Sequence, residues 1–341
     1  MVGSGAAVAA PHRPAELAHD VELPTATGEI VAGWARAPRW RYRVDRLAPF
    51  TRALRHKAWD FYGITTADLY VAVAVANVGY LGTAFVQVVD LAAGARIDRV
   101  AVTPFGRGVA LPASSARGDV AFAQRGARIA FTHVPGGRAI SIDWPGRRAI
   151  RAELALDDRA GIAVVFPNGR GYYYNHKVPA MPVRGWLRAG GTRRDLDGAF
   201  ATLDWGRGVW PHATFWQWAT ASGRLADGRV IGLNLGAGFG DTRAGSENMV
   251  TIDGALHPLG PIDFAYQPQA WRAPWRLRDR AGQVDLVLEP RLDNDAGRVV
   301  GPIGAELHQL IGRYRGAITL GGERVIIDGL PGWAEQLRAW W

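Results

Sequence analysis

Leu69-Tyr-Val-Ala-Val-Ala-Val-Ala-Asn77-Val-Gly79-Tyr-Leu-Gly-Thr-Ala-Phe-Val-Gln-Val-Val89 runs for 21 residues without a formal charge, between Asp68 and Asp90. By length alone it could span a bilayer as one helix. Its middle, Asn77-Val78-Gly79-Tyr80, is a turn signal instead. The flanks, Tyr70 to Val75 and Ala84 to Val89, are rich in β-branched and aromatic residues, which suit a pleated, buried surface. The stretch is predicted as two buried strands joined at Asn77-Val78-Gly79, with no membrane span.

The same grammar extends along the chain. Asx-Gly pairs fall at Asn168-Gly169, Asp197-Gly198, Asp227-Gly228, Asp253-Gly254 and Asp328-Gly329. Each suits a tight hairpin, because these residues tolerate positive φ. Between the breaks lie strand-like runs such as Ala127 to His133, Gly161 to Phe166 and Val230 to Leu235. Val284 to Glu289 alternates apolar and acidic positions, as a strand with one wet face does. Helical periodicity is confined to Val44–Lys57, interrupted by Pro49, and to Pro331–Trp341, where Trp333, Leu337 and Trp340 recur at i, i+4, i+7. The class is all-β and antiparallel with a short C-terminal helix. A parallel α/β sheet would need a dozen residues of helix between strands, and there is no room.

The 341 residues are 48% hydrophobic, enough to bury a sizeable core. No cysteine occurs, which excludes disulfide staples, a cysteine nucleophile and thiolate metal sites. The formal charge is +9, and only Lys57 and Lys177 among 40 basic residues are lysine. The arginines are dispersed rather than clustered on one face, so no nucleic-acid partner is expected. Met1 to Ala10 lacks a basic n-region and a long apolar segment; a frayed tail and a cytoplasmic location are expected.

The densest chemistry lies in Leu203-Asp204-Trp205-Gly-Arg207-Gly-Val-Trp210-Pro-His212, continuing to Trp216-Gln-Trp218. Four of the 14 tryptophans fall between 205 and 218. Rings alone would be core filling. An Asp, an Arg and a His among them need partners, and an Asp204–Arg207 ion pair or a catalytic role would each supply one. Upstream lie Tyr172-Tyr173-Tyr174-Asn175-His176-Lys177; downstream, Glu247 and Asn248 open a strand from Met249 to Asp253. Ser222 reads as a turn residue at a strand end. No HxH or HExxH spacing, GxSxG elbow or GxGxxG loop occurs, so neither a metal nor a dinucleotide cofactor is expected.

Tyr174-Asn-His176-Lys-Val-Pro179, the Leu203–Pro211 block, Ser246-Glu247-Asn248, and Asp253-Gly254 with Leu256-His257 resemble an uncharacterised bacterial family, domain of unknown function 2804, from about Trp34 to Trp341. More distantly, the order Tyr174…Pro179, Gly185, Gly198, Asp204-Trp205 and Trp216-Gln-Trp218 is similar to the double-calycin, lipocalin-like group. That group includes carotenoid hydratases, tocopherol cyclases and lipocalin-like Diels–Alderases. Asp204 is followed here by Trp-Gly-Arg rather than by the acidic or basic pair of that group. The resemblance implies two packed lipocalin-like barrels, at 31–165 and 166–341 after a 1–30 tail. An apolar ligand would sit between or inside them.

An aspartic acid in such an aromatic pocket would have a raised pKa and could act as a general acid. One expectation is a cofactor-independent hydratase, isomerase or cyclase of a hydrophobic small molecule. Asp204 would be its acid and His212 or His176 a proton relay. Tyr174, Trp205, Arg207, Trp210, Trp216, Trp218, Glu247 and Asn248 would line the ligand. The others are a non-catalytic lipid or isoprenoid carrier, and a tryptophan platform for carbohydrate.

Overall fold

The computed structural model describes residues 15–300 and 303–341; the apolar first ten residues lie outside them. Two curled antiparallel sheets make up nearly all of it. The first has fourteen strands among the described residues. Its centre is the series Leu81–Asp90, Leu69–Asn77, His56–Thr65, Phe200–Val209, Gly171–Ala189 and Ile150–Asp157, each paired to the next. The second has ten, centred on Val230–Ala237, Ala213–Arg224, Glu323–Trp340, Ile303–Leu320 and Val284–Asp295.

The uncharged stretch is the expected hairpin, paired from Leu69↔Asp90 to Asn77↔Gly82. Asn77 Oδ1 accepts the Gly79 amide at 2.8 Å, and Gly79 takes φ +93°. No helix among the described residues is long and apolar enough to cross a membrane. Three of the five Asx-Gly pairs join antiparallel hairpin strands, while Asp197-Gly198 links Thr192–Asp195 to Phe200–Val209, both of which pair with Gly171–Ala189 rather than with each other. The fifth also corrects the pattern. Asp328-Gly329 lies inside Glu323–Trp340, where the register slips opposite Tyr314 and Arg315 and Gly329 takes φ +71°. That is a bulge, which needs the same backbone freedom as a turn.

The C-terminal helix is absent: Pro331 onward continues the Glu323–Trp340 strand. Strand neighbours on both edges, Ala213–Arg224 and Ile303–Leu320, satisfy its backbone. Alternation sends Ala334 into the second sheet's core and Trp333 to its outer face, so the i, i+4 spacing was coincidental. Pro49 starts the short helix Pro49–Leu54 rather than interrupting one, as its missing N–H allows at a first helical turn. Nor are residues 15–30 a free tail: Val21–Leu23 pairs with Trp40–Tyr42, and Leu23 is fully buried. The strands Ile162–Asn168, Gly171–Ala189 and Phe200–Val209 join the first sheet, so the sheets part between Val209 and Ala213, not at residue 165.

Each sheet wraps its own apolar core, and two mixed clusters lie between them. One brings Tyr70, Ala72 and Val89 of the first sheet against Trp218, Ile311 and Trp333 of the second. Gly63 permits this contact, because a Cβ there would sit 2.3 Å from the Trp333 ring. Gly206 likewise makes room for the Trp59 ring. Across the seam Thr202 and Thr220 share a hydrogen bond of 3.1 Å.

Candidate functional site

The strands Gly171–Ala189 and Phe200–Val209 are paired Tyr174↔Arg207, His176↔Trp205 and Lys177↔Asp204. Successive side chains point to opposite faces, so one block of sequence feeds two places. Tyr174 and Trp205 belong to the core of the first barrel, and Arg207 lies over the Trp205 ring at 4.2 Å. Asn175, Lys177 and Asp204 face the seam.

Inside the first barrel, Arg207 pairs with Asp60 at 2.9 Å; it does not pair with Asp204. Its remaining donors go to the carbonyls of Pro112, Trp59 and Gly206. His176 is here too, its Nδ1 2.9 Å from Ser115 Oγ. Burial, then the nearby Arg138 cation, pushes its pKa down to about 3, so it is neutral.

At the seam Lys177 Nζ lies 2.9 Å from Asp204 Oδ2, 4.0 Å from Glu247 Oε2 and 3.9 Å above the Trp218 ring. Asn175 Nδ2 donates to Asp204 Oδ1 at 2.7 Å, and the Tyr173 hydroxyl donates to Glu247 Oε2 at 3.5 Å. A third carboxylate, Glu335, accepts from Trp216 Nε1 and Gln309 Nε2, both at 3.0 Å. Gln309 continues through Asn294 to Gln87 of the first sheet. Asp204 and Glu247 thus share one ammonium, and Glu335 feels it from beyond ion-pair distance. Burial raises the pKa of Glu247 and pushes that of Glu335 up to about 7, against its two hydrogen bonds and Lys177.

Rings enclose this cluster. Trp210 meets Trp59 at 5.0 Å, Phe239 at 4.7 Å and Trp216 at 5.8 Å, and Trp218 meets Trp333 at 5.4 Å. Three buried polar atoms here have no hydrogen-bond partner among the described residues: Trp210 Nε1, Trp333 Nε1 and Asn175 Oδ1.

The expected site residues therefore divide. Asp204, Trp210, Trp216, Trp218 and Glu247 come together at the seam. Tyr174, Trp205, Arg207 and His176 occupy the first barrel. His212 is exposed, bonded through Nδ1 to the Trp341 carbonyl at 2.6 Å, so neither of the two expected relay histidines joins Asp204. Asn248 is a brace: Oδ1 accepts from Gly236 N and Nδ2 donates to Gly260 O. Ser222 is another, buried within Ala213–Arg224 and accepting from Ala180 N at 2.9 Å. Sequence reasoning missed Glu335, hidden in a segment that mimicked a helix, and Lys177, whose rarity was the available signal. No group of three or more His, Cys, Asp or Glu among the described residues could hold a metal ion.

No curated protein matches the chain in sequence. Among solved structures, CghA is similar over 87% of this chain and 90% of its own, at 13% identity and a TM-score of 0.53. An AttH-type protein from Nitrosomonas europaea is similar over 83% and 92%, at 14% identity and 0.49. Kievitone hydratase from Nectria haematococca is similar over 86% and 93%, at 13% identity and 0.47. The two curled antiparallel sheets make a double lipocalin-like fold. The chain belongs to the DUF2804 family, a domain of unknown function, whose model matches residues 14–341.

Proposed function

We propose that the seam between the barrels binds an apolar small molecule and protonates it, in a hydratase, isomerase or cyclase reaction that needs no cofactor. The observation that carries this is three carboxylates around a single ammonium, walled by tryptophan. Such a site holds a proton at neutral pH and surrounds a developing cation with ring faces. Asp204 was the expected acid, but its Oδ2 is held in an ion pair with Lys177 at 2.9 Å, whereas Glu335 accepts only from the neutral Trp216 and Gln309. We assign proton donation to Glu335, whose pKa of about 7 matches the task. Asp204 and Lys177 then set the field around it.

The second reading is a carrier, favoured by the protein partners that both Asp204 and Glu335 already have. Native mass spectrometry of the purified chain tests the shared part. A bound apolar molecule, lost in Trp210→Ala, supports the seam; a ligand-free wild type overturns it. With the released molecule as substrate, Glu335→Gln separates the two. Turnover falling ~10²–10⁴-fold with binding kept marks the enzyme, and binding without turnover in the wild type marks the carrier.

A further inference from the structure

Residues 111–119 form a strap between Val109–Ala110 and Val120–Gln124 that is held against the first barrel. Only Ser115 of the strap is buried, and three strand residues grip it. Arg138 Nη2 donates to its carbonyl, His133 Nε2 lies 3.2 Å from the same oxygen, and His176 Nδ1 holds its hydroxyl. Arg207 holds the Pro112 carbonyl at 2.7 Å, and Leu111 packs on the barrel core.

The charges behind the strap do not balance. Arg207 and Arg138 are both buried, at 2% and 6% exposure, and among the described residues Asp60 is the only buried carboxylate that faces them. Asp60 binds Arg207; Arg138 has no carboxylate within 4.0 Å among the described residues and leans on a backbone carbonyl and the His133 ring. A buried cation without a counter-ion is costly, and a carboxylate is a stronger guanidinium acceptor than a peptide carbonyl. Close by, His56 Nε2 and Trp205 Nε1 are buried without partners among the described residues, and the buried Tyr42 and Tyr172 hydroxyls have only each other. Tyr42 is stacked on His56 at 5.8 Å and lies 6.5 Å from Tyr172.

We infer that the first barrel is a second ligand chamber, taking an apolar carboxylic acid whose carboxylate replaces the Ser115 carbonyl on Arg138 as the strap lifts. The hydrocarbon lies against the core that Leu111 covers in the closed state. Nothing in this depends on the seam. The test is a fluorescence titration with cis-parinaric acid and, separately, its methyl ester. The acid should bind saturably, one per chain, and the ester at least tenfold more weakly. Arg138→Gln should weaken the acid at least tenfold and leave the ester unchanged. Ser115→Asp places a carboxylate on the strap, which should raise the melting temperature and exclude the acid, so the result does not hinge on whether Arg138→Gln folds. Equal binding of acid and ester, no binding of either, or unchanged acid affinity in Ser115→Asp would overturn the inference.

Discussion

The interior of the first barrel and the seam are built from the same two strands, yet their electrostatics are opposite. In the interior two arginines face one carboxylate; at the seam three carboxylates face one lysine. Residues one step apart, Asp204 and Trp205 or His176 and Lys177, serve different sites. Proximity in sequence within a strand is a poor guide to a shared site, whereas spacing by two is a good one.

The comparison predicts unequal costs. Arg207→Ala strips Asp60 of its partner in the interior and should lower stability by about 3–5 kcal/mol in urea unfolding. A loss below ~1 kcal/mol would show that the interior pair is not the barrel's keystone.

The two regions should also respond oppositely to pH. Glu335 is pushed up from 4.5 to about 7, so its contribution is complete below about pH 4.5 and is lost as pH rises through 7. Relative to Glu335→Gln, the wild type should lose on the order of 3 kcal/mol across that window. His176 and His56 are pushed down from 6.5, to about 3 and about 4. Their contribution is present above pH 6.5 and is lost as pH falls toward those values. Parallel pH profiles for Glu335→Gln and the wild type would break the contrast.

Asp204→Asn keeps a neutral hydrogen-bonding group beside Lys177, with Glu247 at 4.0 Å. It should cost about 1.5–3 kcal/mol, the range of a hydrogen bond to a charged group. The smallest effect belongs to the surface. Asp285, half exposed, meets Arg276 and Arg278 at 2.9 and 3.1 Å, and Asp285→Asn should change stability by less than about 1 kcal/mol. A surface loss equal to that of Asp204→Asn would mean burial is not what distinguishes the seam.

The class and most turns were legible because they rest on local chemistry: uncharged β-branched runs, and Asx-Gly where φ must be positive. What failed depended on partners far along the chain. Pro331–Trp341 carries a helical spacing by chance and becomes a strand because two neighbours wait for its backbone. Asp328-Gly329 has turn chemistry but bends a strand that continues. In the site, the Asp204–Trp218 block marked the right region through its density of rings. The partner of Arg207 is 147 positions away, and Glu335 lies 131 residues beyond Asp204; no spacing rule reaches that far.

The protein's two lysines are 1% and 2% exposed, Lys57 clasped by the carbonyls of Leu54 and Val78 and Lys177 by the seam. The folded chain therefore offers almost no side-chain amine to acylating reagents, unusual for 341 residues. Each lysine becomes a built-in reporter. Acetylation of Lys177 would time the parting of the barrels, and acetylation of Lys57 the opening of the Asn77–Leu81 turn, without any label being engineered.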